Sequence, residues 1–163
     1  MQKRALKLLK HKLEYSRITP YIFLGTNACC QAHFDRSLLK KGIKAEISLE
    51  KERLESPLGV DYFLWLPVKD HKAPKQKQLL LGAKTLDLLV SSKIKCYVHC
   101  KAGHGRSPSL VIAYFILKGK TLDEAIRLVK QKRRSIHPNA EQIAALKQFE
   151  IRKTNKLGSY NWH

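Results

Sequence analysis

Residues 96–117 constrain the chain more than any other stretch. Cys96-Tyr97-Val98 is a short apolar run, Cys100 opens a loop punctuated by Gly103 and Gly105, and Ser109 to Leu117 is almost wholly apolar. A strand that passes through a tight loop into a buried helix, starting near Pro108, belongs to a layered α/β architecture, where both elements are covered by others. The junction also carries chemistry. Backbone N–H groups of the loop and of the helix N-terminus converge on one point, and the helix dipole adds positive potential there. Gly103 and Gly105 let the backbone curl into an anion-binding nest. A thiol at the mouth of such a nest ionises more readily than a free one, from about 8.5 down to roughly 3.5–7.5 beside cations or helix N-termini. Arg106 offers a planar fork of donors matched to two phosphate oxygens. A nucleophile, an oxyanion cradle and a clamp in one loop specify phosphoryl transfer.

His99-Cys100-x5-Arg106-Ser107 resembles the signature of the cysteine-dependent phosphatases. Their dual-specificity branch places an Asp on a mobile loop roughly 30 residues before the Cys. Asp70 stands at that spacing, in Leu66-Pro67-Val68-Lys69-Asp70-His71. Asp61 is its rival, but it precedes the apolar strand and is expected at the other end of the sheet. The order of acid before nucleophile fits neither the low-molecular-weight nor the rhodanese-like phosphatases, and no counterpart of the phosphotyrosine-recognition loop is visible. The resemblance covers about Ile18 to Phe149.

It implies that Cys100 attacks phosphorus and becomes a phosphocysteine. Backbone amides of Lys101, Ala102, Gly103, His104, Gly105 and Arg106, with the Arg106 side chain, would stabilise the transition-state oxygens. Asp70 would protonate the leaving oxygen, since an alkoxide leaves poorly. Ser107 would donate a hydrogen bond to the sulfur, and His99 would orient the loop. The resemblance implies no cofactor and no metal. The local group Cys29-Cys30-x2-His33 is too tight and incomplete for zinc.

Composition sets the remaining bounds. At 163 residues, with 44% hydrophobic and 28% charged, the chain reads as one soluble globular domain, and no apolar run is long enough to span a membrane. Cys96 and Cys100 would lie about 13 Å apart on an extended strand, too far to bridge. A reducing, cytoplasmic setting follows, which a thiolate nucleophile needs. Cys29 and Cys30 either pack in the core or form a reversible disulfide with an oxidised Cys100. The net charge of +19 attracts anions without choosing among them.

The expected fold is a single-domain, central, mostly parallel twisted sheet flanked by helices on both faces. Residues 1–17 read as a basic N-terminal helical segment, 18–152 as the phosphatase catalytic domain and 153–163 as a polar tail. Met1 to Leu13 either docks through Leu6, Leu9 and Leu13 or lies on an anionic membrane surface, and an organellar presequence is a further reading. Strands are expected over Ile18–Gly25, over Ile43–Leu49 as a half-buried alternating strand, over Tyr62–Leu66 buried on both faces, and over Cys96–Val98. Asn27 is read as the N-cap of a helix closed by Gly42. Further helices are expected over Gln78–Val90, over Ser109–Leu117, after a Thr121/Glu124 capping box with Leu122, Ala125, Ile126 and Val129 inward, and after Pro138-Asn139 with Ile143, Leu146 and Phe149 inward.

The expected substrate is a phosphorylated protein carrying phosphotyrosine or phosphoserine/threonine. Lys101-Ala102-Gly103 is similar to the lipid-phosphatase branches, which place Lys or Arg where His104 stands, so a phosphoinositide or phosphatidylglycerophosphate is the alternative. RNA 5′-phosphate is suggested by charge alone, and a non-catalytic phospho-binding module is the remaining reading.

Overall fold

In the computed structural model, residues 12–30 and 32–155 are described. The helical, membrane and presequence readings of Met1–Leu13 therefore fall outside the described residues except at Lys12 and Leu13. Five strands form one sheet in the order β1-β2-β5-β3-β4, where β1 is Tyr15–Arg17, β2 Ile22–Gly25, β3 Ile43–Glu50, β4 Tyr62–Val68 and β5 Lys95–His99. The β2–β5, β5–β3 and β3–β4 pairs are parallel, and only β1 runs antiparallel. The helices are α1 (Arg36–Lys40), α2 (Gln76–Ser91), α3 (Arg106–Leu117), α4 (Leu122–Lys132) and α5 (Ala140–Thr154).

β5 shows how the two layers arise. Its alternate side chains point to opposite faces. Cys96 and Val98 join a large apolar core built with α2–α5, while Tyr97 joins a smaller one with Phe34, Leu38 and the two adjacent cysteines. Helix α3 is buried along its length, so it lies between the sheet and the other helices. The expected capping box at Thr121 is present, and a second one, not read from the sequence, opens α5 at Asn139. Thr121 Oγ1 accepts from Glu124 N at 3.2 Å, and Asn139 Oδ1 accepts from Gln142 N at 3.0 Å.

Five local expectations are corrected. The first strand is shortened to Ile22–Gly25, because the Thr19 hydroxyl accepts the amides of Tyr21 and Ile22 and, with Pro20, turns the chain; Tyr15–Arg17, read within a helical segment, is instead a strand paired antiparallel with β2. Asn27 does not cap a long helix. It starts a 3-10 turn over Asn27–Cys29, and a separate α1 is capped by Asp35 through Ser37 N and Leu38 N. β3 is not half-buried: Glu46, Ser48 and Glu50 are as enclosed as the apolar residues between them. β4 is not buried on both faces. It is the sheet edge, and Tyr62, Phe63 and Trp65 are 53%, 44% and 42% exposed. An edge strand is where Pro67 is tolerated within a sheet.

Candidate active site

The parallel strands end together, and the site lies beyond their C-terminal ends, where open α/β sheets bind ligands. β5 delivers His99 and Cys100 there, and Arg106 and Ser107 start α3. Two glycines make the turn possible. Gly103 has φ +70°, and a Cβ on it would lie 2.6 Å from the Gly25 carbonyl oxygen; a Cβ on Gly105 would lie 2.7 Å from Gln142 Oε1. Arg133, at the end of α4, braces the loop from behind by donating to the carbonyls of Gly103 (3.1 Å) and Ala102 (3.2 Å).

The Cys100 sulfur is buried and accepts a hydrogen bond from the Ser107 hydroxyl at 3.2 Å. Burial opposes its ionisation. The Ser107 hydroxyl and amide, the Arg106 charge and the Gly103 amide outweigh that cost and hold the pKa below the ordinary thiol value.

Arg106 is 2% exposed. Its Nη1 donates to Val68 O at 2.7 Å and to Glu52 Oε2 at 2.8 Å, and its Nη2 lies 3.0 Å from Asp70 Oδ1. Asp70 follows β4, faces the loop across Arg106 and is partly exposed. Asp61 stands at the opposite end of the sheet, 4.0 Å from Lys44 Nζ. The structure thus brings together all of the residues singled out from the signature, and Asp70 rather than Asp61.

Sequence reasoning missed what holds the acid in place. The loop after β4 is tied to the start of α5. Asn139 Nδ2 donates to His71 O (2.7 Å), Gln142 Nε2 to Lys72 O (3.1 Å), and Glu141 accepts from Ala73 N (3.1 Å) and pairs with Lys72 Nζ (3.2 Å). Glu52, read only as part of a polar loop, accepts from Asp70 N at 2.6 Å as well as from Arg106. Its small burial opposes the charge, but the bonds to Arg106 and the Asp70 amide depress its pKa to about 2. One carboxylate therefore joins the clamp to the acid loop. No periodicity marks it.

His99 is fully enclosed and lies beneath the loop. Its Nδ1 is 3.0 Å from Cys100 O, and its Nε2 is 2.7 Å from Glu46 Oε1, 3.2 Å from Glu55 Oε2 and 3.5 Å from Cys30 Sγ. Burial opposes a charged imidazole; Cys30, Glu46 and Glu55 together raise its pKa well above the ordinary value. Cys29 and Cys30 face each other with sulfurs 2.9 Å apart. Both sit in the small core, whereas Cys100 belongs to the large one; Cys30 meets Cys29, His99 and Arg53.

The pocket in front of Cys100 has a volume of about 170 Å³ and is lined by Asp70, His71, Lys101, His104, Arg106 and His137, among others. Sites that enclose drug-sized ligands measure roughly 300–1,000 Å³. This one admits a terminal phosphoryl group and its near neighbours, leaving the rest of a substrate on the surface. His104 stacks against His137 with ring centroids 4.8 Å apart. Partial burial, His137 and Arg133 lower its pKa.

Residues 22–152 match the family described as dual specificity phosphatase, catalytic domain. The chain belongs to this family of cysteine-dependent phosphatases. It is 32% identical over 135 residues to human dual specificity protein phosphatase 4, a match covering 82% of this chain and 34% of that protein. With human dual specificity protein phosphatase 2 the identity is 31%, over 82% of this chain and 42% of that protein. The chain thus spans well under half the length of these curated relatives. Among solved structures, human DUSP28 superposes with TM-score 0.78 at 22% identity, covering 86% of this chain and 99% of that one, a likeness of fold. PTPMT1 in complex with PI(5)P superposes with TM-score 0.74 at 25% identity, over 87% of this chain and 97% of that one. The expected single-domain fold, a mostly parallel sheet flanked by helices, is that of this family.

Proposed function

We propose that the chain hydrolyses phosphomonoesters on proteins, accepting phosphotyrosine and phosphoserine/threonine, through a phosphocysteine at Cys100. The observation that carries this reading is a thiol held toward its thiolate by Ser107 and Arg106, with Asp70 across the same guanidinium. In the first step the Cys100 sulfur attacks phosphorus, the P–O bond to the leaving group breaks, and that oxygen takes the proton from Asp70. In the second, the Asp70 carboxylate removes a proton from water, the water oxygen attacks phosphorus, and the P–S bond breaks. Ser107 stabilises the thiolate that departs. The Arg106 fork and the loop amides bind the equatorial oxygens. No step of this scheme uses a metal or cofactor.

Two things favour a protein substrate over a lipid one. The curated relatives at 31–32% identity are named protein phosphatases, and His104, whose pKa is lowered by partial burial and by His137 and Arg133, stands where the lipid branches carry Lys or Arg. The Cys100-Lys101-Ala102-Gly103 run and the likeness to PTPMT1 bound to PI(5)P support the lipid reading. Phosphate release from doubly and singly phosphorylated peptides, phosphoinositides, phosphatidylglycerophosphate and RNA 5′-phosphates, compared by kcat/KM, separates them. The proposal expects phosphopeptides to lead, and a lipid or RNA leading by tenfold or more overturns the substrate assignment.

A further inference from the structure

The chamber behind His99 gathers the ligand atoms of Cys29, Cys30, Glu46 and His99 in one place and leaves a buried carboxylate oxygen without a partner. Glu46 projects from the middle of β3 with its side chain fully enclosed, and Oε1 alone is engaged, by His99. Oε2 has no partner, and neither has Glu55 Oε2 a hydrogen bond of good geometry, although it is 3.2 Å from the same ring nitrogen. One N–H at His99 Nε2 points at three acceptors from Glu46, Glu55 and Cys30 and can serve only one well. A buried oxygen left without a partner is costly. The neighbouring cation, Arg53, already spends Nη2 on Asn27 O (2.6 Å), Glu55 Oε1 (3.3 Å) and Cys30 Sγ (3.6 Å).

We propose that this chamber is a structural site for a divalent cation of the zinc class, ligated by Cys29 Sγ, Cys30 Sγ, His99 Nε2 and Glu46. These four ligand atoms all lie within 4.8 Å of one another; ligands about 2.0–2.3 Å from one tetrahedral ion stand roughly 3.3–3.8 Å apart, so the two sulfurs, 2.9 Å apart, and the Nε2–Oε1 pair, 2.7 Å apart, would spread slightly around it. The His99 ring is set for the task. Its Nδ1 lies 3.0 Å from the Cys100 carbonyl oxygen, a bond that holds a proton on Nδ1, so a cation would take the place of the Nε2 proton and leave the usual outer arrangement of a metal-bound histidine. Two thiolates with one imidazole and one carboxylate select zinc over the hard cations. Glu55 and Arg53 form the outer ring. The local group Cys29-Cys30-x2-His33, set aside for zinc on the sequence, does not converge: His33 turns back to its neighbour, with Nδ1 2.9 Å from Phe34 O. His99 and Glu46 arrive from β5 and β3 instead, each far away along the chain. A cation here would pin the end of the 3-10 turn, β3 and β5 together directly beneath the phosphate loop.

The test uses the full chain carrying Cys100→Ser, so that the catalytic thiol cannot ligate and failure of the phosphatase reading is a separate result. Cobalt(II) is the probe, because thiolate ligation gives a sulfur-to-metal charge-transfer band and a tetrahedral site gives strong d–d absorption. The expected result is one cobalt per chain with both signatures, displaced by zinc, and a higher melting temperature for the zinc-loaded than for the chelator-treated chain. Adding Cys30→Ser should abolish the charge-transfer band or weaken binding by at least about 100-fold, and Glu55→Gln should weaken it by about 10–100-fold, as losing an outer partner does. Circular dichroism checks that each variant is folded. No charge-transfer band in the folded Cys100→Ser chain overturns the proposal whatever the other variants do, and so does a band that persists at unchanged affinity in the Cys30→Ser variant.

Discussion

The two faces of the sheet are covered by different chemistry. On the side of α2–α5, Ile47, Leu66, Val98, Leu110, Ile112, Ala125 and Leu146 meet in a wholly apolar layer. On the opposite side, Phe23, Phe34, Leu38 and Tyr97 share the space with Glu46, Ser48 and His99, each 1% exposed or less. The first face is held by burial of area, which is tolerant of detail. The second is held by polar and ionic bonds around His99, where a single missing partner is expensive. The catalytic loop stands on the seam, with Cys100 packed into the apolar layer and His99 into the polar one.

The largest effect expected concerns the acid that faces this seam. Asp70→Asn should lower kcat by roughly 10²–10⁴ on alkyl phosphates, whose oxygen needs a proton to leave, and far less on an activated aryl phosphate. Steady-state kinetics on the two substrates check it, and equal losses would make Asp70 a structural residue.

The comparison itself is sharpened by stability. Leu110→Ala should cost about 2–5 kcal/mol through the cavity it leaves. Glu46→Ala should cost about 3–5 kcal/mol in metal-free protein, because it leaves a buried imidazole with one carboxylate fewer. Urea titrations measure both. A Glu46→Ala chain as stable as the parent would show that the polar face does not hold the fold.

A smaller effect is expected in the pH profile. The Cys100 thiol is held below its ordinary value partly by the Ser107 hydroxyl. Since the thiolate is the reactive form, kcat/KM falls as pH drops through that value. Ser107→Ala removes a bond to the thiolate, so the acidic limb should move to higher pH. An unmoved limb would assign the depression to Arg106 and the loop amides alone.

How much of this was legible follows the same division. The apolar layer shows in the 3.6-residue spacing of Leu79, Ala83, Leu86 and Leu89 in α2, in the almost unbroken run of α3, and in the capping box at Thr121, because each of these signals is local. The signature loop and Asp70 were legible for the same reason. The polar face was hidden. Glu46 and Ser48 at alternate positions of β3 read as a solvent side and Glu50 as the start of a polar loop, and only the tertiary fold covers them, by bringing the 3-10 turn and the loop after β3 across the sheet. Continuous hydrophobicity misled at β4 in the opposite sense, since Tyr62, Phe63 and Trp65 lie on an edge. Glu52, Arg133 and Gln142 act through contacts with distant residues, and nothing at their own positions announces them.

The central claim is that phosphate passes through the sulfur of Cys100, and trapping that intermediate tests it most directly. The chain is mixed with an activated aryl phosphate, quenched within the first turnovers and digested for mass spectrometry. The account predicts a phosphoryl group on the peptide carrying Cys100, located to the sulfur, and neither that adduct nor turnover in Cys100→Ser. Turnover persisting in Cys100→Ser, or a phosphoryl group found on another residue, would contradict it.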